Sequence, residues 1–106
     1  DVTYVEAARV MAERVFTLAE KGTSESRVET AFRLATARRP TDFERSTLVS
    51  RFVKLVEAYR ANENEALQLL SVGESPRQEA LDPVEHAAMA ALCSLILNLD
   101  EVITKE

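Results

Sequence analysis

Residues 82–99, DPVEHAAMAALCSLILNL, decide the fold. Between Ala87 and Leu97 every side chain is apolar except Ser94. An apolar run of about ten to fourteen residues is short for a bilayer span and marks a helix buried inside a protein. A helix apolar around its circumference has no face to offer to water, so it needs neighbours on several sides. Ala87, Ala88, Ala90 and Ala91 let those neighbours come close, and Leu92, Leu95, Ile96 and Leu99 supply bulk. The helix start is written just upstream. Asp82 offers a carboxylate cap, Pro83 takes the first helical position where its missing N–H costs nothing, and Glu85 puts an acid in the first turn. The pattern predicts a last helix threaded through the middle of the molecule.

Four helical segments precede it. Val5, Ala8, Ala12, Val15, Phe16 and Ala19 recur at spacings of three and four, which predicts a helix from Thr3 to Lys21, opened by a Thr3/Glu6 capping box and closed by Gly22. Val28, Ala31, Phe32 and Ala35, flanked by Leu34, form the stripe of a second helix that Ser24 or Ser26 can cap. It should end near Ala37 or Arg38, because Pro40 biases Arg39 away from helical geometry. Thr41 and Glu44 form a second capping box, which opens a third helix carrying Phe43, Leu48, Phe52, Leu55, Val56 and Tyr59 to about Arg60. Asn62 caps a short fourth through Ala66, Leu67, Leu69 and Leu70, ended by Gly73, and GESPRQEALDP, Gly73 to Pro83, is the clearest loop. The expected fold class is therefore all-α: a compact bundle of four main helices plus one short helix, the last helix central and buried. Its expected core is Phe16, Phe32, Leu34, Phe52, Leu55, Leu67, Leu70, Leu92, Leu95, Ile96 and Leu99.

A length of 106 residues suits one domain over 1–106. With 46% hydrophobic residues, two Gly and three Pro, the composition excludes disordered, collagen-like and turn-rich all-β chains. No run reaches the roughly 18 to 20 apolar residues of a membrane span, so no membrane insertion is expected, and DVTYVEAARV is not a basic-then-apolar leader. The single Cys93 excludes an internal disulfide framework and a Cys-based structural zinc site. A net charge of −5 argues against bulk affinity for nucleic acid. The charge is nonetheless uneven: Arg27 to Arg60 carries eight basic against four acidic side chains, and Ala61 to Glu106 nine acidic against two basic. Either the two halves face each other or solvate opposite faces, or the middle is a docking surface for an acidic partner.

Residues that resemble catalytic or metal-binding groups have bland readings. His86, the one histidine, is expected partly exposed over the start of the last helix, and Cys93 is expected buried and unreactive in the apolar run. Asn98, Asp100 and Glu101, and Glu63 with Glu65, lack the patterned loop of a calcium site and read as solvated helix ends, with Asn98 a possible buried anchor. No catalytic residue, metal or cofactor is expected in this chain. The segment carrying Arg33, Arg38, Arg39, Pro40, Arg45 and Arg51 is the candidate site, either as a structural or interaction turn or as a helix-turn-helix DNA reader. As a structural device, Arg33 or Arg38 would pair with a carboxylate near an end of the last helix.

TYVEAARVMAERV at 3–15, RVETAFRLATARRPTDFE at 27–44, LLSVGESP at 69–76 and LDPVEHAAMAALCSLILNLDEVI at 81–103, taken in order, resemble the C-terminal domain of a family of large exported planctomycete proteins. Members of that family carry a cytochrome-c-like module near the N-terminus. The chain departs from the family pattern at Ala37, where Gly is common, and at Val102, where an aromatic residue is common. The resemblance implies a fragment of a longer polypeptide, located in the periplasm or outside the cell, with any haem elsewhere in the parent. It implies no catalytic residues. The expected function is a non-catalytic accessory or interaction domain that packs on the remainder of its parent or on another protein. Such a domain should expose an apolar or charged patch. The alternative is the DNA-binding module.

Overall fold

A computed structural model describes residues 2–73 and 77–104, with side chains described between 5 and 99 within those limits. It contains α1 Val2–Leu18, α2 Ser24–Thr36, α3 Asp42–Ala61, α4 Glu63–Leu70 and α5 Pro83–Thr104, and the described residues include no strand. The protein is an all-α bundle of four main helices and the short α4. α5 touches each of the other four helices. Val84, Ala87, Ala88, Met89, Ala90, Leu92, Cys93 and Ile96 are buried along it, so the run at 87–97 lies in the interior as its composition requires. From the other side the core receives Ala12 and Val15 of α1, Val28, Ala31 and Phe32 of α2, and Leu48 and Phe52 of α3. Ala66 and Leu70 of α4 close over Ala87, with Tyr59 and Leu69 packed at the edge.

The capping chemistry holds where the side chain can reach. The Thr41 hydroxyl accepts from the Glu44 amide and the Glu44 carboxylate accepts from the Thr41 amide, and Asn62 Oδ1 accepts from the Glu65 amide. Elsewhere the boundaries moved. α1 begins at Val2, so Thr3 lies within the helix and not at its boundary, and α1 ends at Leu18 with Gly22 outside the left-handed region. α2 is capped by Thr23, whose hydroxyl accepts from the Ser26 amide. α5 continues to Thr104, so Asn98, Asp100 and Glu101 belong to the helix and do not follow it. Asn98 is exposed. The side chains of Asp100, Glu101 and Val102 lie outside the described ones.

α2 ends on Ala37, which has φ of 62° and donates its N–H to the Arg33 carbonyl. A Cβ in this left-handed region crowds the following carbonyl, which is why Gly usually takes the position.

A buried polar cluster fixes α1 against α5. Arg9 is fully buried, with Nη1 3.2 Å from Glu13 Oε2 and Nη2 3.5 Å from Glu6 Oε2. Glu13 Oε2 also accepts from the Gln78 amide at 3.1 Å, which ties the loop before α5 to α1. Gly73 holds the same loop at its other end: φ is +95°, and a Cβ there would fall 2.5 Å from Glu6 Cδ. His86, contrary to the expected partial exposure, is fully buried, because the loop and α1 cover the first turn of α5. Its Nε2 faces the Arg9 carbonyl at 3.4 Å and Glu13 Oε2 at 3.6 Å, which places the ring proton on Nε2. Phe16 packs edge-on against the ring. Burial pulls the His86 pKa down, a shift opposed by the Arg9 carbonyl and Glu13 and reinforced by Arg9 and Arg77.

Ala37→Gly relieves the left-handed strain and raises stability by about 1 kcal/mol in urea denaturation; an unchanged or lower midpoint contradicts the assigned turn. The folded pKa of His86 lies below the 6.5 of an open histidine, so the unfolded chain takes up the proton first and stability falls as pH drops below that value. The urea midpoint therefore declines from about pH 7 to about pH 5.5, and an NMR titration gives His86 an imidazole midpoint below 6.5. A midpoint above 6.5 would show that the ring is stabilised charged.

Candidate interaction surface

The turn between α2 and α3 is built around Arg38. Its guanidinium makes a two-pronged contact with Glu44, Nη1 to Oε1 at 3.0 Å and Nη2 to Oε2 at 2.9 Å, donates to the Arg39 carbonyl at 3.2 Å, and lies 4.7 Å over the Phe32 ring. Pro40, in the same turn, is buried. Glu44 thus serves twice, as partner of Arg38 and as the carboxylate of the Thr41 capping box. Its pKa is lowered to about 2, first by the Arg38 hydrogen bonds and then by the Thr41 amide.

The six candidate residues divide into two groups. Arg38, Arg45 and Pro40 hold structure: Arg45 pairs with Asp42 at 2.7 Å and Glu29 at 3.5 Å, linking α3 to α2. Arg33, Arg39 and Arg51 are exposed and make no ion pair among the described residues. Of the two arginines expected to pair with the last helix, Arg33 makes no ion pair among the described residues; such a pairing is made by Arg27, which contacts Glu85 at 2.8 Å and lies 4.7 Å over Phe16. Arg60 reaches Asp82 at 3.3 Å. The basic middle and acidic end do meet, but at the start of α5, where both carboxylates also suit the positive end of the helix dipole.

Beside the turn, α2, α3 and α5 leave an apolar groove of about 180 Å³. Phe43, at 79% exposure, and Leu99, at 51%, stand over it, with Phe32, Leu48 and Ile96 in its floor. Thr36, Thr47 and the Arg38–Glu44 pair form the polar edge. Leu99 was expected in the core, as was Leu67, which is also half-exposed, and Phe43 was expected on the apolar stripe of the third helix. Phe43 lies in the first turn of α3, where a side chain projects beyond the layer that covers the rest of the stripe. Leu99 lies toward the C-terminal end of α5, which runs to Thr104.

Neither His86 nor Cys93 lines this groove. Burial pushes the Cys93 thiol up to about 12, which holds it protonated. No cluster of three metal-ligating side chains occurs among the described residues, Glu63 and Glu65 included. No helix among them is long and apolar enough to cross a membrane.

The turn's electrostatics give a direct test. Because the Glu44 pKa is depressed, its contribution is complete above the open value of 4.5 and is lost as pH falls toward 2. A carbon-detected NMR titration should find the Glu44 midpoint near 2, and in Arg38→Met it should move toward 4.5. Thr41→Ala costs about 1 kcal/mol at neutral pH. A Glu44 midpoint indifferent to Arg38 would contradict the two-pronged contact.

Compared with protein-family models, curated proteins and solved structures, the chain finds no match.

Proposed function

We propose that this chain is a non-catalytic interaction domain of a larger exported polypeptide, docking through the groove beneath Phe43 and Leu99 onto the remainder of that polypeptide. The observation that carries this reading is the pairing of two large exposed apolar side chains, from helices far apart in sequence, over one apolar groove. Interdomain contacts have this character: an apolar centre with a polar margin. The ordered resemblance along the chain supplies the setting, which is the periplasm or cell surface, with the haem module elsewhere in the parent. Sealed burial of His86 and Cys93 supports a non-catalytic role, since neither side chain is accessible to a substrate. DNA reading finds less support, because Glu44, Asp42 and Glu29 already occupy Arg38 and Arg45.

The test is titration calorimetry of this chain against the rest of the polypeptide its gene encodes, expressed without it. The two should associate. Phe43→Ser and Leu99→Gln should each weaken association by about tenfold or more while changing stability by about 1 kcal/mol or less. No association, or association indifferent to both substitutions, would overturn the proposal.

A further inference from the structure

We infer that the segment docking at this groove is an acidic peptide anchored by a bulky apolar side chain; the inference rests on the docking reading above. The groove does not end at Phe43. Thr47 lines both it and a shallow trough along α3 formed with Ser46, Ser50, Arg51 and Lys54. Phe43, Thr47 and Arg51 follow at intervals of four, with Lys54 three further on, so an apolar anchor point, hydroxyl groups and two cations share one helix face. Arg51 and Lys54 are exposed and make no ion pair among the described residues. Glu44, the one carboxylate among the described residues that line the groove, is neutralised by Arg38 and committed to the cap. The surface therefore offers an apolar seat followed by unneutralised positive charge and hydroxyl donors. Its complement is a bulky apolar residue followed within a few positions by carboxylates.

Nucleic acid would use the cations but not the apolar seat, and the two occupants separate on that point. Short random peptides displayed on phage are selected on the intact chain at low salt, and the selected sequences are then measured as labelled synthetic peptides by fluorescence anisotropy. They should be rich in Asp and Glu next to Phe, Leu or Trp. Binding should fall about tenfold or more in Phe43→Ser, by a similar factor in the double variant Arg51→Glu, Lys54→Glu, and should weaken between about 50 and 500 mM salt. Neutral or basic selected peptides, or affinity indifferent to the charge reversal, would overturn the acidic occupant while leaving docking at the groove intact. Selection of no peptide would overturn it as well, and joined to absence of association with the parent polypeptide would remove both readings. A labelled DNA duplex that binds through Arg51 and Lys54 with no loss in Phe43→Ser would overturn it in favour of nucleic acid.

Discussion

Between Val84 and Ile96, α5 buries nine of its thirteen side chains and leaves the other four only partly exposed, and the rest of the bundle is arranged to make that possible. A helix with one apolar face can lie on a surface, but one with several must be surrounded. The alanines at 87, 88 and 90 bring neighbouring backbones close, and the bulk at Met89, Leu92 and Ile96 meets Ala12, Val15, Phe32 and Phe52 from the surrounding helices. The first turn of α5 is held separately. Arg27 of α2 takes Glu85, Arg60 of α3 takes Asp82, and α1 contributes the Arg9–Glu13 pair against His86. Charges out of water are costly unless each has its partner, so this cluster contributes less to net stability than to fixing which residue of α1 faces which residue of α5.

The positive charge of the middle segment is divided by geometry. Arg27, Arg38, Arg45 and Arg60 are consumed in holding turns and helix ends together, and two of them also lie over aromatic rings, a use to which the flat guanidinium is suited. What remains for the outside is Arg33, Arg39, Arg51 and Lys54. The segment's excess of cations therefore overstates the charge available to a partner: Arg51 and Lys54 continue the helix face that carries Phe43, whereas Arg33 and Arg39 line a separate hollow with Glu20 and Glu29.

The helices and the position of α5 were legible in the sequence because a three-to-four spacing and an unbroken apolar run each allow one solution. Caps were legible where Thr41 and Glu44 matched in both directions, and less so at Thr3, where the same spacing fell inside a helix. The buried cluster left a signal that went unread: Arg9 and Glu13 lie on the same helical face as Val5, Ala12 and Phe16, so a charged pair had to enter the interior with them. Its partners Gln78 and His86 were not legible, since loop placement depends on packing that no local pattern encodes. The groove was missed for a related reason. Periodicity assigns Phe43 and Leu99 to core-facing stripes, but whether a stripe is covered at its ends depends on how far neighbouring helices extend. The end of α2 near Ala37 was legible through Pro40, whereas the left-handed backbone of Ala37 left no local signal, since a residue with a Cβ does not favour it.

Native-state hydrogen exchange tests the central position of α5 most directly. If the helix is enclosed by its neighbours, the amides of residues 87–96 exchange only through global unfolding, with opening free energies equal to the stability from denaturant melts and above those of α4 and the last turn of α5. Exchange of those amides through local openings, at free energies well below global stability, would mean that α5 lies against the bundle and not within it.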